Sequence, residues 1–258
     1  MIKLSIITVT FNAANTVADC LDCVRNQSTE VEHILIDGMS QDNTMAIVKR
    51  HGDHLTHIVS EADRGIYDAM NKGLQLAKGD VIGILNADDF YPDTNTLGKV
   101  KELFTDPDID ACYGDLLYVD NTNSDKIVRN WRSGSYTPEK FYWGWMPPHP
   151  TFFVRRLIYE KYGNFNLELG SAADYEIMVR FLVKERIKAV YLPEVLVKMR
   201  TGGISNASLK NRFIANRMDR KAWAVNGLRP YPWTMWLKPV RKVGQWFCKS
   251  NGGNGNGP

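Results

Sequence analysis

The run from Val81 to Phe90, Val-Ile-Gly-Ile-Leu-Asn-Ala-Asp-Asp-Phe, constrains this chain more than any other stretch. It is apolar, ends in acids, and is bounded by Gly79-Asp80 before and Tyr91-Pro92-Asp93 after. A run so short between turn residues reads as a strand buried on both faces rather than as a helix. In open α/β sheets ligands sit in the crevice beyond the carboxyl ends of the strands, which puts Asn86, Ala87, Asp88 and Asp89 at the expected site. Adjacent carboxylates repel unless a cation lies between them. Mg²⁺ or Mn²⁺, held by one or two carboxylates with phosphate oxygens and water completing the shell, suits that arrangement. A polar turn without chemistry is the plainer reading.

Around this strand the chain alternates strand and helix. Lys3 to Thr10 reads as a first strand, Asn12 to Asn15 as a turn into a helix reaching about Asn26, and Val31 to Asp37 as a second strand. Asp42 is a candidate cap for the next helix, and His57 to Glu61 forms a third strand. Ile66, Ala69, Met70, Gly73, Leu74 and Ala77 recur at helical spacing, and Gly79 ends that helix. Such alternation predicts a parallel, doubly wound sheet. Further on, Leu97 to Phe104 is helical, Ala111 to Val119 and Lys126 to Trp131 are strands, and Trp143 to Phe153, with three prolines, is a shaped loop. Helices at Arg156 to Tyr162 and Tyr175 to Lys184 precede a strand at Ala189 to Leu192.

Composition narrows the class. The chain has 258 residues, 44% of them hydrophobic, enough for one sizeable domain. No apolar run reaches the roughly 20 residues that span a bilayer. The opening residues turn polar at Thr10-Phe11-Asn12, unlike a secretory signal, so a cytoplasmic protein is expected. Four cysteines suit neither a disulfide framework nor a zinc site; Cys20 and Cys23 share a helix face, either as a redox dithiol or as ordinary packing. His51, His54 and His57 read as a solvated loop rather than a metal site. From Leu209 onward there are ten Lys or Arg and one acid, Asp219, a charge of +9; the whole chain is +3, so residues 1–208 carry −6.

Five segments in register then resemble glycosyltransferase family 2: Ser5 to Asn12, Ile36-Asp37-Gly38-x-Ser40-x-Asp42-x-Thr44, Asp63 to Gly73, Leu85 to Asp89, and Ala173-Asp174-Tyr175. The resemblance spans roughly residues 3 to 205 and is strongest to enzymes of bacterial surface polysaccharides. It implies a GT-A fold: a Rossmann-like, doubly wound, mostly parallel sheet, here with a helical basic C-terminal tail. Residues 1–208 would be catalytic, with 1–105 binding the nucleotide sugar and 106–208 the acceptor; 209–250 would associate with membrane and 251–258 would be disordered. It further implies an inverting transfer of a hexose or N-acetylhexosamine from a UDP-sugar to a polyprenyl-diphosphate-linked saccharide of an O-antigen, capsule or exopolysaccharide.

Residue by residue, the resemblance assigns Asp37 to the imide N–H of uracil, where a helix cap is the alternative. Thr8, Thr10 and Asn12 would line the same base pocket, although strand propensity also explains the threonines. Asp63 and Arg64, with Asn71 and Lys72, would reach ribose or diphosphate; Met70 stands where relatives carry arginine. The usual Asp-x-Asp is here Asn86-Ala87-Asp88, leaving Asp88 as principal ligand of Mn²⁺ or Mg²⁺, with Asp89 beside it and Asn86 and Ala87 at the ribose. Asp174 would be the general base, and Ser171-x-x-Asp174 as a capping box is the alternative. His149 would touch the diphosphate or metal or line the acceptor pocket, with a plain loop residue as the alternative; Trp143 and Trp145 would stack on the acceptor sugar, with a buried corner as the alternative; and Arg200 opens a Thr201-Gly202-Gly203-Ile204-Ser205 loop that would close over the nucleotide or simply form a tight turn.

The tail mixes Trp233, Trp236 and Trp246 with Lys238, Arg241 and Lys242, the composition of a peripheral anchor on the anionic inner face of the cell membrane. A C-terminal helix packed on the catalytic domain is its alternative. Three rival functions remain: an inactive nucleotide-sugar-binding protein of the same fold, a dinucleotide enzyme, and a nucleic-acid binder. The second lacks Gly-x-Gly-x-x-Gly after the first strand, and no P-loop is present. No nucleic-acid partner is expected.

Overall fold

The computed structural model describes residues 1–202 and 209–238. Nine strands form one sheet: β1 (Leu4–Thr10), β2 (Val31–Asp37), β3 (His57–Ser60), β4 (Val81–Asn86), β5 (Asp89–Phe90), β6 (Ala111–Val119), β7 (Ile127–Trp131), β8 (Phe153–Arg155) and β9 (Ala189–Arg200). Their order is β3-β2-β1-β4-β8-β6-β9-β5, with β7 on β6. β1, β2, β3, β4, β6 and β9 run one way; β5, β7 and β8 run the other.

The helices explain why β1 is buried along its whole length. α1 (Val17–Arg25) and α2 (Thr44–His51) pack on one face, where Cys20 and Val24 meet Leu4 and Ile6, and Val48 meets Leu21 and Leu35. α3 (Ile66–Leu76) crosses to the other face, burying Ala69, Met70 and Leu74 against Ile7, Val9, Ile34 and Ile36. Alternate side chains of each strand thus feed opposite faces. Because α3 delivers β4 to the far side of β1, strand order reverses there, and the crevice opens at the carboxyl ends of β1 and β4. Ile66, expected on the apolar stripe, is exposed.

Two expected strands differ in extent by more than a residue. The hub run is not one strand: β4 stops at Asn86, and β5 pairs antiparallel with Lys198 and Met199. β9 runs on past Pro193, because a register shift opposite Gly114 absorbs residues 192–194 and leaves the proline outside the ladder. After α4 (Thr96–Leu103), α5 (Pro138–Tyr142) and α6 (Arg156–Tyr162), the expected helix at 175–184 is α7 (Ala173–Met178) continued by a wider π turn, Val179–Lys184.

α8 (Leu209–Val225) takes up the packed arrangement. Trp223 is fully buried in the main core with Tyr175 and Met235, and its Nε1–H donates to the Tyr175 hydroxyl at 2.9 Å. No helix among the described residues is long and apolar enough to cross a membrane. Gly203, Ile204 and Ser205 of the expected closing loop, Arg241, Lys242 and Trp246 of the tail, and residues 251–258 lie outside the described residues.

Inside the α1 face sits a polar thread. Thr8 Oγ1 is 2.9 Å from His33 Nε2, whose Nδ1 is 2.8 Å from His54 Nε2. Thus His54 turns inward, while His51 sits 3.2 Å from Asp22. Cys20 and Cys23 are free thiols, and burial pushes Cys23 up to about 12, which suits packing rather than exchange.

Two stability predictions follow from this core. Trp223→Ala should cost about 3–5 kcal/mol in urea denaturation, the range for a buried tryptophan; a loss under ~1 kcal/mol would mean that α8 contributes little to the packed body. Burial, and next the neighbouring His54, push His33 down to about 3 from 6.5. Below 6.5 the unfolded chain binds a proton that native His33 refuses, so native stability falls as pH drops from 6.5 toward 3, by up to about 1.4 kcal/mol per unit. His33→Gln should lose less stability than the wild type on going from neutral to mildly acid urea titrations; equal losses would assign the acid sensitivity to other groups.

Candidate active site

The carboxyl ends of β1, β2 and β3 form one row, Thr10, Asp37 and Ser60 being register partners. Asp37 is fully buried. Ser60 Oγ donates to its Oδ2 at 2.6 Å, the Ser40 N–H to Oδ2 at 3.1 Å, and Ser40 Oγ to Oδ1 at 2.5 Å. The turn so fixed holds Asn12, whose N–H donates to Ser40 Oγ at 2.8 Å and whose Oδ1 accepts from the Gln41 N–H at 2.8 Å. Asn12 needs that support, since its φ of 51° is left-handed. Asp63 leans over the row: a Cβ on Gly38 would lie 2.5 Å from its Oδ2. Thr10 Oγ1 is buried with no hydrogen-bond partner among the described residues, a cost that a bound ligand would relieve. Thr8 does not join the row, because its hydroxyl is engaged with His33 inside the core.

Beyond β4, the acidic turn separates its two carboxylates. Asp88 is half-exposed, and its carboxylate has no hydrogen-bond or ion-pair partner among the described residues. Asp89 is buried behind it, with Oδ2 3.4 Å from Asn86 Nδ2 and Oδ1 unpartnered. Burial, and next the Asp88 charge, push Asp89 well above the usual carboxylate range. It therefore stands apart from Asp88 as a ligand: Asp88 lies in the turn between β4 and β5, whereas Asp89 begins β5 and is buried. Arg200 reaches the same turn from the end of β9. Its Nη1 donates to the Asp88 carbonyl at 3.1 Å, its Nη2 pairs with Asp19 at 2.5 Å, and its guanidinium lies 4.8 Å over the Phe90 ring.

Among the described residues no three His, Cys, Asp or Glu side chains converge on one point. One open carboxylate next to an arginine nevertheless suits Mg²⁺ or Mn²⁺ arriving with a diphosphate, since such ions keep most of their shell in phosphate and water. The orphaned, buried Asn86 Oδ1 lies at the same strand end.

Asp174 sits in the first turn of α7 but caps nothing beyond the N–H of Tyr175, at 2.7 Å. The Ser171 box does not form, for Ala172 is the N-cap and Ser171 is exposed. Instead Asp174 Oδ2 lies 3.2 Å from His149 Nδ1, and the Tyr67 phenol is close enough to feel the charge of the same carboxylate. Burial, then the Asp174 charge, push the Tyr67 phenol far up, so it stays protonated as a donor. Tyr67 belongs to the first turn of α3, which follows the carboxyl end of β3; this ties Asp174 to the rim. No expectation named Tyr67, because the stripe was read from Ile66; Tyr67, three residues before Met70 and seven before Leu74, is the one that packs inward, and a polar-tipped aromatic at that spacing was the available signal.

Other expected residues are used elsewhere. Asn71 exchanges both amide bonds with the backbone of Phe165, at 2.9 and 3.0 Å, and so clamps a loop. Lys72 donates to the Ala62 carbonyl at 2.7 Å and pairs with Glu61 at 2.9 Å. Arg64 is exposed and pairs with Asp68 at 2.8 Å. Ala87 is buried, its N–H on the Val9 carbonyl. Trp145 is core, packed on Tyr113 and Phe141 with its Nε1–H on the Ser133 carbonyl at 2.8 Å, so it offers no face to a sugar. Trp143 is exposed, but beside Tyr231 and Trp233.

Comparison with known proteins bears on the family and the fold. The chain is 29% identical over 216 residues to a PGL/p-HBAD biosynthesis glycosyltransferase of Mycobacterium bovis, covering 81% of this chain and 82% of that one. It is 28% identical over 212 residues to the chondroitin synthase of Pasteurella multocida, where the match spans 81% of this chain and 21% of the synthase. Among solved structures, TarS of S. aureus superposes with a TM-score of 0.66 at 18% identity, covering 97% of this chain and 74% of TarS. The mannosyltransferase PcManGT of Pyrobaculum calidifontis, in complex with GDP-Man and Mn²⁺, superposes with a TM-score of 0.64 at 19% identity, covering 94% and 73%. The expected GT-A fold is therefore the observed one. The family model for glycosyl transferase family 2 matches residues 5–163, more than half of the chain, and the chain belongs to that family.

Proposed function

We propose that the protein is an inverting, metal-dependent glycosyltransferase that moves a hexose or N-acetylhexosamine from a UDP-sugar to a lipid-linked saccharide in surface-polysaccharide synthesis. The observation that carries this reading is Asp174, a carboxylate freed from a capping box and set 3.2 Å from His149, with Tyr67 at the start of α3 within reach of its charge.

Each residue then has a physical part. Asp37 has three donors on its roughly four acceptor sites, which leaves one for an imide N–H. Thr10 supplies the unpartnered hydroxyl and Asn12 the exposed edge of the base pocket. Arg200 and Asp88 face the diphosphate, with Asn86 near the ribose. Mn²⁺ or Mg²⁺, bound with the donor through Asp88, would stabilise charge on the leaving diphosphate. Asp174 takes the proton of the acceptor hydroxyl as that oxygen attacks the anomeric carbon from the face opposite the diphosphate. Tyr67 and His149 keep one carboxylate orientation throughout.

TarS has been crystallised with UDP and with UDP-GlcNAc, whereas PcManGT holds GDP-Man. Guanine N1–H would satisfy the same acceptor as the uracil imide, so a calorimetric screen of UDP-, GDP- and dTDP-sugars with Mn²⁺ is the direct test. UDP-sugar should bind best, and a preference for GDP would move the donor assignment. The lipid-linked acceptor would place the enzyme on the cytoplasmic face of the cell membrane.

Two variants probe the chemistry. Asp88→Asn should fold normally and bind UDP equally with and without Mn²⁺; full transfer by this variant in EDTA would remove the metal from the reading. Asp174→Asn should bind donor nearly as well as wild type while turnover drops roughly 10² to 10⁴-fold, the range of a general base. Unchanged turnover with lowered melting temperature would make Asp174 a structural residue.

A further inference from the structure

We propose that the face built where the C-terminal segment crosses α5 docks the protein on an anionic bilayer, through a platform of Trp143, Tyr231, Trp233 and Trp236. The proposal deepens the lipid-linked acceptor reading and rests on it for its purpose, not for its physics.

The four rings are 48%, 44%, 44% and 69% exposed, and three of them touch. Centroids lie 5.2 Å apart for Tyr231 and Trp233, 6.0 Å for Trp143 and Trp233, and 6.2 Å for Trp143 and Tyr231. Contiguous exposed aromatic surface marks an interaction site, and indole and phenol rings favour the headgroup boundary, where an apolar body and a polar tip are both satisfied.

The platform is held in place by the same segment. Thr234 and Met235 point inward, Thr234 Oγ1 donating to the Tyr142 carbonyl at 2.6 Å, while Trp233 and Trp236 on either side point out. Gly144, at φ 74°, admits the crossing chain: a Cβ there would meet the Lys238 nitrogen at 2.6 Å. Lys238 then pairs with Asp219 at 2.7 Å and lies 3.3 Å over the Tyr175 ring.

Charge selects the occupant. Asp219, the sole acid from residue 209 on, is buried and neutralised by Lys238, so the segment shows water only cations: Arg217, Arg220 and Lys221 on α8 and Arg229 at its exit. A second copy would bring like charges together, and a neutral saccharide would leave them unused. An anionic headgroup layer engages both rings and bases. The platform is also joined to the body that carries the site, since Tyr231 packs on Tyr142, Tyr142 on Trp223, and Trp223 bonds Tyr175, the neighbour of Asp174.

The test is flotation of the purified full chain with vesicles of phosphatidylcholine alone and of equal parts phosphatidylcholine and phosphatidylglycerol. The chain should float with the anionic vesicles only and be released by salt. Trp233→Ser with Trp236→Ser should weaken the partition coefficient about tenfold or more, with an unchanged circular dichroism spectrum and undiminished transfer to a short soluble acceptor. Equal flotation of variant and wild type, or none with anionic vesicles, overturns the proposal. Loss of a dimer in light scattering, or loss of soluble-acceptor transfer with flotation intact, assigns the platform to a second copy or to the saccharide and overturns it as well. Flotation needs no turnover, so failure of the transferase reading registers separately.

Discussion

A carboxylate buried at the end of a central strand must find donors, and the rim of this sheet is arranged around the donors that Asp37 finds. Ser60 ties it to β3 and Ser40 folds the following turn back onto it. That turn in turn holds Asn12 in its left-handed conformation at the end of β1. Unpaired, the buried charge would cost several kcal/mol; paired, it fixes three loops at once. The rim is thereby set before any ligand arrives, which is what preorganised recognition requires.

The acidic turn resolves a related conflict in another way. Two adjacent carboxylates on one surface would repel, and the chain separates them by ending β4 at Asn86 and starting β5 at Asp89. The start of β5 buries Asp89, and burial, then the Asp88 charge, raise its carboxyl well above the usual range. One negative charge remains outside, at Asp88, with Arg200 bonded to its carbonyl. Asp19, which pairs with that arginine, is exposed, so an incoming anion would compete with a solvated partner and not with a buried one. Such an arrangement lets the arginine exchange one anion for another at small cost.

Much of this was legible in the chain because local patterns and tertiary needs agree. β2 and β6 occupy the expected residues, and β1 and β3 differ by one at an end, since apolar β-branched runs between turns leave few alternatives. The hub was legible as a strand but not as two, because Ala87-Asp88 carries no glycine or proline to announce the turn. Asp174 was ambiguous: Ser171-x-x-Asp174 has the spacing of a capping box, and only the fold, by bringing His149 and Tyr67 from distant segments, shows where the carboxylate goes. Asn71 and Lys72 lie inside a recognisable motif yet serve the backbone of neighbouring loops, a distinction that spacing does not encode. Trp143 and Trp145 look alike in sequence; one faces out and the other fills the core, because the left-handed Gly144 reverses the chain between them.

The basic C-terminal stretch was the hardest part to read, since its composition suits a bilayer and its spacing suits a packed helix. Among the described residues the stretch divides by residue rather than by segment. Helix α7 carries Asp174 on its outer side and Tyr175 and Glu176 on its inner side, both buried. Glu176 is matched by Arg180 at 2.9 Å and by the Asn226 amide at 2.9 Å, and Tyr175 by the Trp223 indole and the Lys238 ammonium. Without those partners a carboxylate and a phenol beneath the proposed base would be left to water or to each other, and the first turn of α7 would lose the frame that aims Asp174. The inward residues among those described thus complete the support of the proposed base, while the outward ones face solvent. A single segment can serve both ends because its buried anchors, Thr234 and Met235, lie between its exposed rings.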